Sequence, residues 1–153
     1  MTLGGMPAVF REYLDAGNLT QCARIQAGIA QTYRDDFGKY ASKSDLGHLQ
    51  KVFAAVPKMV GRKFKYSAVE DGVHSREIKA ALDLLEKAGV EYRVKQASGS
   101  GLPLEAGASE RNFKVLFLDV GLMQSLCGLS GELLSASDHL AVHAGAVAEQ
   151  FVG

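Results

Sequence analysis

Residues 75–97 read SREIKAALDLLEKAGVEYRVKQA, and this stretch decides the predicted fold. Apolar residues recur at helical spacing in its first half, which predicts an amphipathic helix over residues 76–88. Ser75 is expected to cap the start of this helix, and Gly89 to end it in left-handed backbone. Apolar and charged residues then alternate, which predicts a strand over residues 90–97.

A second strand is predicted over residues 113–118 (FKVLFL), after a connection rich in Gly and Ser over residues 98–112. Before the capped helix, residues 63–66 alternate as a short extended piece, and a brief helix is expected at residues 67–69. This order of elements is typical of a winged helix-turn-helix domain, with the capped helix in the recognition position. The two strands and their connection are expected to form the wing.

The first forty residues are predicted to form two helices. Pro7 suits the first turn of a helix that ends near Leu14, because its missing N–H has no helical partner there. Residues 16–18 are expected to break that helix. The second helix is expected to run from residue 19 to about residue 40, since apolar residues recur along one side of it.

A third helix is predicted to begin at a cap formed by Ser44 or Asp45 and to kink or break at Pro57. The fold class is therefore mostly α (α+β), with an N-terminal helical part followed by a winged helix-turn-helix with a two-stranded wing. The predicted divisions are a helical part at residues 1–44, the winged-helix domain at residues 45–128, and a polar connection with a C-terminal helix at residues 129–153.

The composition limits which partners the chain can attract. Its 153 residues are 47% hydrophobic and include 17 basic and 17 acidic side chains, so the net charge is zero. A neutral chain has no overall attraction to nucleic acid or to an anionic membrane, and binding to either requires a local patch. Cys22 and Cys127 belong to no redox or metal-ligating motif, which favours free thiols in a reducing cytosol.

The chain is expected to be a soluble, cytoplasmic fragment that contacts no membrane. It has no apolar run near the roughly 20 residues that a spanning helix needs, and residues 1–9 do not form a secretion signal. Its helical pattern continues to the last residue without a cap, which favours an end cut from a longer protein. Apolar surfaces uncovered in this way are expected to allow a homodimer.

Five short runs, in order along almost the whole chain, carry a resemblance to a known family. They are GGMP with YL at residues 4–7 and 13–14, YRDD at 33–36, FKY with LEKAGV at 64–66 and 85–90, FKVLFLDVGL at 113–122, and GAVAEQFV at 145–152. Together these runs resemble the domain of unknown function 4143.

This resemblance implies a winged-helix region that follows an AAA-type ATPase core in the same polypeptide. It implies that ATP and Mg²⁺ bind only in that core, outside this sequence, and that the core is an intramolecular partner. The chain itself has no G-x-x-x-x-G-K-[ST] loop, because Gly99, Ser100 and Gly101 are followed by Leu102 and Pro103. No cofactor is therefore expected in the chain.

Basic residues outline a candidate surface for double-stranded DNA. Four of them fall within residues 58–65 with no acidic residue between them, and such cations bind the phosphates that dominate affinity. The eight candidate contacts are Lys58, Arg62, Lys63, Lys65, Arg76, Lys79, Arg93 and Lys95. Lys114 on the second strand extends this patch. The alternative interpretation is a solvated surface that contacts proteins, since acidic residues cancel the charge of the capped helix.

No other group of residues predicts a catalytic or metal site. His139 and His143 share a helix face, but a zinc site needs a further ligand. Asp35 and Asp36 point about 100° apart on a helix, so they are not expected to converge on one substrate atom. Arg34 is expected to form surface salt bridges, with the alternative that it acts in trans on a neighbouring ATPase site. Asp119 is expected to cap the helix that follows it.

The leading hypothesis is a non-catalytic regulatory or DNA-binding winged-helix module of an ATPase. The alternative is a protein–protein interaction module that docks on its ATPase core or on a partner chain and binds no DNA. An independent enzyme is disfavoured, because the sequence contains no catalytic triad, metal cluster or phosphate loop.

Overall fold

The computed structural model describes residues 3–97, 107–129 and 140–152 of the chain. These residues form a mostly helical fold with one two-stranded antiparallel sheet, which confirms the mostly α prediction at that level. The elements are α1 (Pro7–Ala16), α2 (Leu19–Asp36), α3 (Lys43–Met59), α4 (Ser75–Lys87), β1 (Glu91–Ala97), β2 (Ala108–Phe117), α5 (Val120–Leu126) and α6 (Leu140–Val152), with single 3-10 turns at Phe37–Lys39 and Tyr66–Ala68. No helix in these ranges is long and apolar enough to cross a membrane.

The break between the first two helices lies where the sequence predicts it. Pro7 occupies the first turn of α1, and Gly17 follows this helix with a φ of 62°. The side chain of Asn18 then caps α2 by accepting a hydrogen bond from the N–H of Gln21 at 3.0 Å. α2 ends at Asp36, earlier than predicted, because the chain tightens into the following 3-10 turn.

The start of α3 and its passage through proline differ from the predictions. Ser42 caps this helix, rather than Ser44 or Asp45, and its hydroxyl accepts a hydrogen bond from the N–H of Asp45 at 3.3 Å. Of the kink or break predicted at Pro57, the break is wrong, since the helix continues through it to Met59, and the kink stays a prediction. Pro57 lies in the last turn, where it lacks the N–H that would pair with the carbonyl of Phe53, and the helix ends two residues later.

α4 is the predicted amphipathic helix, but its cap is different. Ser75 is the first helical residue, and His74 takes the capping position with extended backbone and no side-chain hydrogen bond. Gly89 follows the helix with a φ of 69°, which confirms the left-handed ending. α4 packs against α3. Its buried face carries Ile78, Ala81, Leu82 and Leu85.

The two strands pair in antiparallel register, with Glu91 opposite Phe117. β2 begins at Ala108, so the connection predicted over residues 98–112 is too long at its C-terminal end. Ala108 pairs with Ala97, and the register shifts before the next pair, Phe113 with Lys95. Residues 98–106 of the predicted connection lie outside the described part of the chain.

The alternating pattern of β1 identifies the strand, but its apolar side is the more exposed one. Tyr92 and Val94 are 53% and 51% exposed, whereas Glu91 is buried. The inward side is set by pairing with β2, whose Val115 and Phe117 are buried opposite Arg93 and Glu91. Charged side chains of β1 therefore share a face with the core.

The extended segment at residues 63–64, called the short third strand, forms one isolated bridge with β2 beside the two-stranded sheet. Lys63 forms a bridge with Lys114, and the N–H of Phe64 donates a hydrogen bond to the carbonyl of Phe113 at 2.9 Å. β2 therefore lies between this segment and β1.

Phe53 of α3 joins the helices to the sheet in the hydrophobic core. Its ring lies 5.2 Å from that of Phe37 and 5.6 Å from that of Phe117, between ring centres. The guanidinium of Arg34 lies 5.7 Å from the centre of the same ring. One core thus contains residues of both the predicted helical part and the predicted winged-helix part, and the boundary between them stays a prediction.

Asp119 caps α5, as predicted, and also holds the N-terminal segment. Its Oδ1 accepts a hydrogen bond from the N–H of Leu122 at 2.8 Å, and its Oδ2 accepts one from the N–H of Gly5 at 2.6 Å. The approach is close, because a Cβ on Gly121 would lie 2.5 Å from the carbonyl oxygen of Leu3. The N-terminal segment and α5 therefore form one junction.

Candidate nucleic-acid interface

Residues 58–65, the basic segment, join the end of α3 to the short third strand. Phe64 fixes the main chain of this segment, because it is buried and its ring stacks on Phe113 with 5.4 Å between ring centres. Neighbouring side chains of an extended chain point to opposite sides, so Lys63 and Lys65 point away from the core and are exposed. The segment therefore combines a fixed main chain with cations in solvent.

A tight turn leads from α3 into the strand. Gly61 has a φ of 80°, a backbone conformation that other residues rarely adopt. The N–H of Arg62 donates a hydrogen bond to the carbonyl of Met59 at 3.1 Å. This turn brings Arg62 to the same groove as Lys58 in the last turn of α3.

Two neighbouring grooves run beside the basic segment. The sheet groove has a volume of about 370 Å³, and its lining includes Lys63, Lys95, Lys114 and Glu149. The end groove has a volume of about 260 Å³, and its lining includes Lys58, Arg62 and Glu149. The five cations of the two grooves form the basic band. The structure therefore brings four of the predicted contacts together with Lys114, and Glu149 of α6 lies between the grooves.

Two members of the basic band are paired with carboxylates. The Nζ of Lys114 lies 2.6 Å from the carboxylate of Glu149, and Lys95 donates a hydrogen bond to Glu110. That hydrogen bond holds the pKa of Glu110 below its ordinary value, and the charge of Lys79 contributes less. The charge of Lys95 is thus partly matched within the fold.

Arg93 is held inside the fold by two carboxylates of α4. Its guanidinium lies 2.7 Å from Asp83, and its Nε donates a hydrogen bond to Glu86 at 2.8 Å. Partial burial acts to lower the pKa of Arg93, but Glu86 and Asp83 outweigh burial and raise that pKa above its ordinary value. With a side chain only 11% exposed, Arg93 fastens β1 to α4 and presents little charge to solvent.

The other six predicted contacts are exposed cations, and among the described residues no ion pair involves any of them. They are Lys58, Arg62, Lys63, Lys65, Arg76 and Lys79. Elsewhere the fold does match exposed cations, as between Lys51 and Glu70 at 2.6 Å. Arg76 and Lys79 lie on the exposed face of α4 and line neither groove.

The structure describes the remaining candidates from the sequence only in part. Asp36 forms a surface ion pair with Lys39 at 2.5 Å. His139 and the side chain of His143 lie outside the described residues. In the part of the chain that the structure describes, no three His, Cys, Asp or Glu side chains cluster as metal ligands do.

Glu91 is a buried acid that sequence reasoning missed. It has no exposed surface, and neither carboxylate oxygen has a hydrogen-bond partner among the described residues. Burial raises the pKa of Glu91 to about 8, although the charge of Arg93 acts against this shift. The only sequence signal is its position next to Val90 at the start of the strand, where the chain enters the core.

The fold and the site together define a mostly helical domain with a small antiparallel sheet and a band of cations on its surface. The chain belongs to the family described as Domain of unknown function (DUF8612), whose model matches residues 1–133. No curated protein and no solved structure matches the chain.

This family membership corrects the resemblance drawn from the sequence. The domain of unknown function 4143 is a different family, and the match shows no link to an AAA-type ATPase core. The runs that suggested it follow from local structure that many folds share. LEKAGV is a helix end with left-handed Gly89, and the aspartate of FKVLFLDVGL is the α5 cap Asp119.

Proposed function

We propose that this chain is a non-catalytic winged-helix module that binds the phosphate backbone of double-stranded DNA. The observation that carries the proposal is the basic segment. Its four cations are exposed and have no carboxylate partner among the described residues, while Phe64 fixes the main chain between them. Unmatched cations on a fixed backbone suit phosphate contact, because little internal pairing has to be broken.

The order of the elements supports the winged-helix assignment. α3 is followed by the short third strand, the 3-10 turn Tyr66–Ala68, α4 and then the β1–β2 hairpin. In a winged helix, the helix that precedes the hairpin enters the major groove and the hairpin forms the wing. Arg76 and Lys79 are exposed on α4 and form no ion pair within the described ranges, so the recognition position also carries cations.

The test is fluorescence anisotropy of the full chain with a labelled mixed-sequence duplex, titrated with salt. If the four cations of the basic segment each contact a phosphate, the logarithm of the binding constant falls with the logarithm of the salt concentration with a slope of about 3 to 4. The variant Arg62→Ala/Lys63→Ala/Lys65→Ala is expected to reduce this slope by about 3 and the affinity by at least tenfold.

The matched control removes three exposed cations that lie outside α4, the hairpin and the basic segment, in the variant Arg11→Ala/Arg24→Ala/Lys39→Ala. Its net charge is the same as that of the first variant, so it is expected to bind DNA almost as the unchanged chain does. Equal losses in both variants would show a response to net charge alone and would contradict a defined interface.

A second candidate function, protein binding, is favoured by one face of α1. Phe10, Tyr13 and Leu14 lie on that face and are 50%, 41% and 68% exposed. Exposed apolar groups in one place are typical of protein contacts. The variant Phe10→Ser/Leu14→Ser tests it by sedimentation. If the variant has a lower apparent mass than the unchanged chain, the unchanged chain forms a dimer through α1. If the unchanged chain is itself a monomer, self-association through α1 is excluded.

A further inference from the structure

α6 lies beyond the residues that the family model matches, and it packs on the basic band. The family match ends at residue 133, whereas α6 spans Leu140–Val152. Its Glu149 carboxylate lies 2.6 Å from the Nζ of Lys114 and lines both grooves. The helix thus places an anion among cations that otherwise face solvent.

Specific contacts hold α6 in this position. The side-chain amide of Gln150 accepts a hydrogen bond from the N–H of Phe117 at 2.6 Å and donates one to the carbonyl of the same residue. Ala146 lies against the turn at Gly61, where an added Cβ would be 3.1 Å from the Cα of Ala146. Val147 packs against the hydrophobic core. The position of Glu149 therefore follows from a docked helix and not from charge attraction alone.

The docked helix is nevertheless weakly held at its charged contact. The side chains of Lys114 and Glu149 are 45% and 36% exposed, and water screens an ion pair of this exposure. A duplex that brings several phosphates to the band at once can compete with a single carboxylate. The contact is therefore suited to reversible displacement.

We propose that α6 is an autoinhibitory element, in which the carboxylate of Glu149 occupies the place of a DNA phosphate on Lys114. This inference rests on the proposed DNA-binding function. A carboxylate and a phosphate present the same kind of anionic oxygen to a lysine ammonium group. DNA binding displaces α6, frees Lys114, and adds this residue to the contacts of the basic segment.

The experiment measures DNA affinity and its salt dependence for three full-chain variants. Glu149→Gln removes the competing charge, and Gln150→Ala removes the two hydrogen bonds to Phe117 without changing the charge. The matched control, Glu70→Gln, removes an equivalent carboxylate from Lys51, which lines neither groove. Glu149→Gln and Gln150→Ala are expected to bind DNA at least about threefold more tightly. The salt slope is expected to stay that of the unchanged chain, because Lys114 engages a phosphate in every complex from which α6 is displaced.

The outcomes separate this inference from the proposed function. Tighter binding by both α6 variants, with Glu70→Gln unchanged, supports autoinhibition even where the unchanged chain binds weakly. Binding by the unchanged chain that neither α6 variant improves overturns autoinhibition and leaves DNA binding in place. If Glu149→Gln and Glu70→Gln both bind DNA more tightly and Gln150→Ala does not, the effect is one of net charge. That result also overturns autoinhibition. No binding by any variant at low salt overturns the proposed function itself.

Hydrogen exchange gives a second readout that does not depend on affinity. The N–H of Phe117 is protected by Gln150, so saturating duplex is expected to accelerate its exchange in the unchanged chain. Unaltered exchange at Phe117 in a DNA complex would show that α6 stays docked and would overturn the displacement.

Discussion

The carboxylate of Asp119 accepts a hydrogen bond at 2.6 Å from the N–H of Gly5, which lies 114 residues earlier in the chain. The other carboxylate oxygen caps α5 through the N–H of Leu122 at 2.8 Å. One buried side chain thus starts a helix and anchors the N-terminal segment on it. Loss of this side chain is therefore expected to weaken both the start of α5 and the attachment of the N-terminal segment.

The variant Asp119→Ala is expected to lower the free energy of unfolding by about 2 to 3 kcal/mol, because it removes the cap and leaves the N–H of Gly5 without its partner. Urea denaturation measures this loss. Asn18→Ala is the control, since it removes only the exposed cap of α2 and should cost about 1 kcal/mol. Equal losses in the two variants would show that the bond to Gly5 contributes nothing.

Gly4 should tolerate no side chain, because the junction leaves no space for one. It has a φ of 68°, and an added Cβ would lie 2.3 Å from the Oδ1 of Asp119. Gly17 has a similar φ of 62° but nothing within 4 Å. Gly17→Ala is therefore expected to cost about 1 kcal/mol from backbone strain alone, and Gly4→Ala clearly more. Thermal denaturation of both variants measures their stabilities. Equal losses of stability would show that the contact between residue 4 and Asp119 contributes nothing.

Arg93 and Lys79 should separate stability from DNA affinity. Arg93→Met is expected to destabilise the fold by about 1 kcal/mol, because it removes the partner of Asp83 and Glu86, whose side chains are 42% and 36% exposed and stay partly solvated. It is expected to change the salt slope of DNA binding little, since Arg93 is mostly buried. Lys79→Ala is expected to leave stability unchanged and to reduce that slope by about 0.9. A larger decrease of the salt slope in Arg93→Met than in Lys79→Ala would contradict the assignment of Arg93 to stability and of Lys79 to DNA contact.

Glu91 should make the fold less stable as pH rises. Burial raises its pKa from 4.5 to about 8. Between those values the folded chain holds a proton that the unfolded chain has released, so the free energy of unfolding falls with pH. The slope from this group is about 1.4 kcal/mol per pH unit, and it flattens above about pH 8.

The variant Glu91→Met is expected to abolish that pH dependence and to be more stable than the unchanged chain at pH 8. Urea denaturation at several pH values between the two pKa values measures the slope. Glu110→Met is the control on the paired strand, since its carboxyl is exposed and its pKa is lowered by Lys95. A slope that survives in Glu91→Met would assign the pH dependence to other groups.

The helices could be predicted because their determinants are local. Gly17, Gly89 and Asp119 act through their own backbone or a neighbour three residues away, so a short window of sequence contains the information. The caps at Ser42 and His74 were missed because several adjacent residues could serve. The burial of Glu91 was missed because strand alternation does not say which side faces the core when the partner strand is far along the chain.

The candidate site could be predicted only in part, for the same reason. The density of cations in residues 58–65 can be read from a short stretch of sequence. Which cations of the candidate site pair with carboxylates cannot. Lys114 meets Glu149 across 35 positions, and Arg93 meets carboxylates on a separate helix. Sequence distance carries no signal for such partners, so the division of the eight candidates into matched and unmatched cations required the fold.

The side-chain amide of Gln150 satisfies both main-chain groups of Phe117 on the side of β2 away from β1, since the neighbouring N–H of Leu118 already donates to Val90. A strand edge with open main-chain groups is a template for pairing with another molecule. Gln150 therefore pairs with the main chain of Phe117 as an added strand would, but it does so with one side chain. The proposed displacement of α6 would therefore leave the N–H and the carbonyl of Phe117 without this partner as well as freeing Lys114.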